Sequence, residues 1–87
     1  MIKIVSVKPA GPAELELTFS DGSYGRWSAA DLISRDTVLT RPLADRDYFS
    51  RAFIEAGALA WPNGLELSPS SLHQRLKEAG QLRRQAA

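Results

Sequence analysis

The turn Phe19-Ser20-Asp21-Gly22, set between two alternating apolar runs, constrains the fold more than any other feature of the chain. Before it, Leu15, Leu17 and Phe19 alternate with Glu14, Glu16 and Thr18, the period of two that marks a half-buried strand. A two-residue loop at Asp21-Gly22 would set Leu17 opposite Arg26 and Glu16 opposite Trp27, mixing polar and apolar residues on each face. A three-residue loop Ser20-Asp21-Gly22, with Gly22 left-handed, repairs the mismatch. Leu15 then faces Trp27 on the inner side, while Thr18 meets Tyr24 and Glu16 meets Arg26 on the outer side. Pairs of these kinds contribute roughly 0.2–1 kcal/mol each, so the three-residue loop is the expected one.

The rest of the chain supplies the partners of this hairpin. Residues 2–8 are rich in β-branched side chains and read as a first strand, ended by Pro9, Gly11 and Pro12. Strands 13–19 and 23–27 follow. Ser28 is expected to cap a short helix through Ala29, Asp31 and Ile33. Val38 and Leu39 read as extended, closed by Thr40-Arg41-Pro42, and Asp45 as the cap of a short turn carrying Tyr48 and Phe49. Residues 46–56 admit two readings. One is a helix with Phe49, Ala52 and Phe53 on one face; the other is a strand pair, 52–55 and 58–61, around Ala56-Gly57. The ending Trp61-Pro62 continues a helix poorly. Last, Ser68 caps a helix over 69–79 opened by Pro69, with Leu72, Leu76 and Ala79 on one face and Gly80 as its stop. The expected product is one α+β domain over 1–80, with a C-terminal tail, 81–87, that frays.

Composition narrows the class of protein. Eighty-seven residues make a single domain, and a chain of that size buries only about 60–65% of its unfolded surface. With 44% apolar and 24% charged residues the chain is globular in character. It has no cysteine, which removes disulfides, thiolate catalysis and cysteine-ligated metals, and favours the cytoplasm. Met1-Ile2-Lys3-Ile4 runs straight into the strand pattern, with neither a signal-peptide profile nor a membrane span of about 18 apolar residues. A soluble, cytoplasmic protein is expected. Eleven basic residues against ten acidic ones leave a net charge of +1. The pI of 8.2 lies below the value of about 9 usual for nucleic-acid-binding domains.

No residue set specifies a reaction. His73, the only histidine, has Lys77 four residues on and reads as an exposed helix residue without an orienting carboxylate. Asp45 with Asp47, and Glu14 with Glu16, are spaced as solvated neighbours, and a cleft for a catalytic carboxylate pair needs more chain than this. The glycines match no phosphate-binding loop. Trp61 reads either as a core residue held by Pro62 or as an exposed anchor for a partner. Eight arginines against three lysines hint at a phosphate-facing patch with Tyr24 or Tyr48, but Asp45, Asp47, Glu55 and Glu78 are interleaved with them. Neither a metal nor a cofactor is expected.

One resemblance adds to this reading. Phe19, Asp21, Gly22, Leu43, Phe49, Trp61, Pro62, Asn63, Gly64 and Glu66 look like the marked positions of a small bacterial family, domain of unknown function 2442. The likeness spans about residues 3–72, with Glu66 standing where a shorter aspartate is expected. It implies a small α+β domain, favours the strand pair over the helix for 46–56, and carries no established activity. Some relatives resemble fusions to a helix-turn-helix domain; others lie beside a second small protein in toxin–antitoxin-like arrangements. A single C-terminal helix makes no helix-turn-helix, so a DNA-binding partner is expected to be a separate chain. The resulting expectation is a non-catalytic interaction module, the regulatory or antitoxin-like half of a two-gene unit that binds a protein partner. Its candidate contact residues are Trp61, Asn63, Gly64 and Glu66 on a surface loop, with Arg75 and Lys77 on the adjacent helix. A nucleic-acid accessory domain is the alternative, with salt-sensitive binding as its signature. A small enzyme, the third class, needs a perturbed acid or histidine in a pocket. Exposed sheet edges leave room for homo-oligomers.

Overall fold

The hairpin at Asp21 forms in the register that its side chains demand. In the computed structural model, which describes residues 1–84, strands β2 (Glu14–Phe19) and β3 (Ser23–Ser28) pair with Leu15 opposite Trp27, Glu16 opposite Arg26 and Thr18 opposite Tyr24. Gly22 takes φ +87° and donates its N–H to the Phe19 carbonyl at 3.0 Å, closing the three-residue loop. Inner and outer faces alternate as expected: Leu15, Leu17, Phe19 and Trp27 are buried, and Glu16 and Arg26 are exposed. One detail differs. The Arg26 guanidinium reaches Glu14 at 3.8 Å, two residues along the same face from its register partner Glu16.

Strand β1 (Ile4–Gly11) runs antiparallel to β2 and continues through Pro9, beyond the expected end at residue 8. It lies at the edge of a four-stranded sheet, with β2 and then β3 inside it. A proline is tolerated there because its missing N–H costs no ladder bond, and the pairing shifts register between Pro9 and Gly11. Helix α1 (Ala30–Arg35) begins later than expected: the Ser28 hydroxyl bonds to the Ala30 N–H at 3.2 Å, but the cap position belongs to Ala29. Val38 and Leu39 are not extended. Thr37 and Thr40 exchange side-chain and backbone hydrogen bonds of 2.9–3.1 Å, which curl the segment into a turn ahead of a 3-10 turn, Arg41–Ala44. Asp45 does cap a short helix, α2 (Arg46–Phe49), accepting the Asp47 N–H at 3.1 Å.

The ambiguous stretch divides: its start is helix α2, and from Phe53 on it resolves as strands. β4 (Phe53–Glu55) and β5 (Ala58–Ala60) form a hairpin around Ala56-Gly57, both at positive φ. A short strand β6 (Glu66–Leu67), too brief to show a period, pairs with β5 to complete a second sheet. The two sheets are tied where the Ile4 N–H donates to the Gly57 carbonyl at 2.8 Å. Helix α3 (Pro69–Glu78) follows, capped by Ser68, with Leu72 and Leu76 buried; Ala79, expected on the same face, is exposed. Arg83 and Arg84, inside the stretch expected to fray, form strand β7 on the edge of β3. The remainder of that expected tail, 85–87, lies outside the described residues. The core gathers Trp61, Phe19, Leu17, Leu43 and Leu59 from both sheets and the helical segments. No helix among the described residues is long and apolar enough to cross a membrane.

Candidate functional site

The segment Trp61-Pro62-Asn63-Gly64 is a tight turn whose polar groups are spent inside the protein. Trp61 is buried, 1% exposed, rather than placed on a surface loop. Its indole N–H donates to the Phe49 carbonyl at 3.1 Å, and its ring packs against Phe49 and Trp27 at centroid distances of 5.8 and 6.3 Å. The Gly64 N–H donates back to the Trp61 carbonyl at 3.1 Å, with Gly64 at φ +94°, a conformation that penalises any side chain. Asn63 holds three separate pieces together. Its Nδ2 donates to the Leu39 carbonyl at 3.1 Å, its Oδ1 accepts the Leu65 N–H at 3.1 Å, and its own N–H donates to the Tyr48 hydroxyl at 2.9 Å. These contacts tie the turn to the Val38–Leu39 segment and to α2.

The remaining candidate residues divide. Glu66 and Arg75 line an open groove of about 880 Å³ between β3, α1, β6 and α3, whereas Lys77 does not line it. The groove floor is apolar, made by Trp27, Leu32, Leu67, Leu72 and Leu76. Its rim carries charges of both signs, Arg26, Arg35 and Arg75 against Glu14, Asp31, Glu66 and Glu78. The volume falls within the range of about 300–1,000 Å³ common to ligand sites, and its apolar floor with a polar rim is the usual character of such sites. This concavity assembles residues from five separate stretches of sequence. Period and capping place the individual elements, but not the space between them.

A second polar cluster, also missed by sequence reasoning, lies outside the groove. His73 Nε2 meets Asp21 Oδ2 at 3.0 Å, so the histidine expected to be exposed and unoriented is only 17% exposed at its side chain and has a carboxylate partner 52 residues away. Its ring stands edge-on to Phe19 at 5.0 Å. The other Asp21 oxygen accepts the Ser23 N–H at 2.9 Å and the Ser23 hydroxyl, and Arg84 Nη2 approaches Oδ2 at 3.4 Å. The hydroxyl and N–H of Ser23, helped by His73, hold the Asp21 carboxyl well below its usual 3.8, at about 2. Chemically this is a clamp rather than a relay. Serine and histidine both address the carboxylate, so His73 does not stand between Asp21 and Ser23 as a general base would. Ser23 is also fully buried. The described residues contain no group of three metal-ligating side chains.

Comparison with known proteins adds one finding. The model of a family described as "Protein of unknown function (DUF2442)" matches residues 4–78. No curated protein matches the chain, and no solved structure does.

Proposed function

The chain belongs to the protein family of unknown function DUF2442, and from that premise we propose that it is a non-catalytic interaction module that binds a protein partner through the groove between β3, α1, β6 and α3. The observation that carries this reading is the groove itself: an apolar floor centred on Trp27, Leu72 and Leu76 inside a rim of interleaved charges. That is the make-up of a protein-binding surface, an apolar centre within a polar border. The mixed rim, three arginines against four carboxylates, disfavours a polyanion, for which a basic track is needed. Within this reading Glu66 and Arg75 contact the partner, while Trp61 packs against Trp27 of the groove floor and the Asn63-Gly64 turn has an architectural role away from it. The regulatory half of a two-gene unit is the biological form that this proposal takes.

The test is a photo-crosslinking pull-down from the native organism with the crosslinker at Ser71 on the groove rim, run with and without nuclease. We expect one small protein in both arms. Arg75→Glu should weaken its retention about tenfold, by reversing a rim charge, while Lys77→Glu leaves it unchanged. Retention that disappears on nuclease treatment would move the assignment to nucleic acid.

A further inference from the structure

The edge of β3 is only partly covered. In the sheet ordered β1-β2-β3-β7, the last strand pairs with Ser23 and Tyr24 alone. The chain comes onto that edge only after Gln81, whose N–H is turned back to the Leu76 carbonyl at 2.8 Å. Arg26, Trp27 and Ser28 therefore have β2 on one side and, among the described residues, no strand on the other. These same three residues line the groove. An uncovered strand edge is a template for backbone hydrogen bonding, and here it opens onto a concave apolar surface.

Resting on the protein-partner reading above, we propose that the groove takes an extended segment of the partner, which adds to the sheet as a strand along Arg26–Ser28. Strand addition draws affinity from main-chain hydrogen bonds and specificity from pockets for alternate side chains. The groove supplies both: the free edge, and a floor of Trp27, Leu72 and Leu76 for every second residue of the guest. The rim selects the guest further. Arg35 and Arg75 on one hand, Asp31, Glu66 and Glu78 on the other, form no ion pair within the described residues. Their charges are complementary to a segment that alternates apolar residues with charges of both signs. β7 is the internal precedent, since this chain already lays its own backbone on the same edge in antiparallel register.

The test uses the intact chain. Linear peptides of about 8–12 residues, long enough for one strand, are selected by phage display and followed by amide hydrogen exchange and titration calorimetry. Placing N-methyl groups on the peptide leaves the protein's fold untouched. We expect exchange to slow at Arg26 and Ser28, whose N–H groups face away from β2, and N-methylation at alternate peptide positions to weaken binding about tenfold, the intervening positions being tolerant. We also expect the peptide, added before irradiation, to prevent the partner from crosslinking at Ser71. N-methyl tolerance at every position, or a bound peptide without protection of β3, would overturn strand addition and leave the protein-partner reading standing. Failure of any peptide to bind, together with nuclease-sensitive retention in the pull-down, would overturn both.

Discussion

Two side chains, Asp21 and Asn63, show how far a single residue organises this protein. Asp21 draws together the β2–β3 turn, α3 and β7 through Ser23, His73 and Arg84. Its carboxyl is depressed from 3.8 to about 2, so the folded state favours the charged form. The stability that this supplies is present above the ordinary value and is lost as pH falls from about 4 towards 2. Asp21→Asn should therefore cost about 1 kcal/mol at neutral pH, after allowance for solvent at a partly exposed site, and flatten the acid limb of the stability curve. Urea midpoints measured at about pH 6 and pH 3 check this, because the gap between wild type and variant must shrink at the lower pH. Asn63→Ala removes the side-chain bonds to Leu39 and Leu65. We expect a loss of about 1–2 kcal/mol, which for a domain of this size lowers Tm by several degrees. Partner binding at the groove should be unaffected, which separates the turn's architectural role from the groove's contact role.

At the scale of elements, the C-terminal strand is the most telling. Gly25 lies beneath it, and a Cβ added there would come within 2.7 Å of the Gln81 carbonyl oxygen and 3.2 Å of Leu76. Since backbone does not yield as a flexible side chain does, Gly25→Ala should push segment 81–84 off β3. Hydrogen exchange at Arg83 and Arg84 should quicken while the β1–β2 amides stay protected. The elements legible in the sequence were those in which a local period and a local turn agree. The β2–β3 register followed from Leu15, Trp27, Glu16 and Arg26 alone, and α3 from Ser68, Pro69, Leu72 and Leu76. What escaped was set by distant neighbours. β6 and β7 are two residues each and exist because β5 and β3 offer them edges. Pro9 reads locally as a stop, yet is accommodated because β1 borders its sheet. The Thr37–Thr40 exchange defeated an apolar Val38-Leu39 reading in the same way. Of the residues lining the groove, Glu66 was singled out through the resemblance and Arg75 through its place on the adjacent helix, whereas the His73–Asp21 contact left no local trace.

For the molecule as a whole, the two sheets share one core, and Trp61 stands at their junction with Trp27 and Phe49. Trp61→Phe should cost about 2–4 kcal/mol, from lost volume and an unbonded Phe49 carbonyl. Such a loss is a large share of the roughly 4–13 kcal/mol available to a chain this short, and chemical denaturation should show one cooperative transition at a lower midpoint. The turn that follows Trp61 also bears on how the protein ages. An asparagine followed by glycine is chemically fragile, because the glycine nitrogen can attack the side-chain amide and convert it to aspartate or isoaspartate. In the folded chain that nitrogen is turned to the Trp61 carbonyl, and the Asn63 amide is held at both ends. Folding thus keeps a reactive pair of atoms in a safe geometry. Each excursion to the unfolded state releases it, and conversion abolishes the donor to Leu39, making refolding harder. Intact-mass measurements after incubation in urea and in buffer should find the modified species accumulating in the denatured sample, so that Asn63-Gly64 records how long each molecule has spent unfolded.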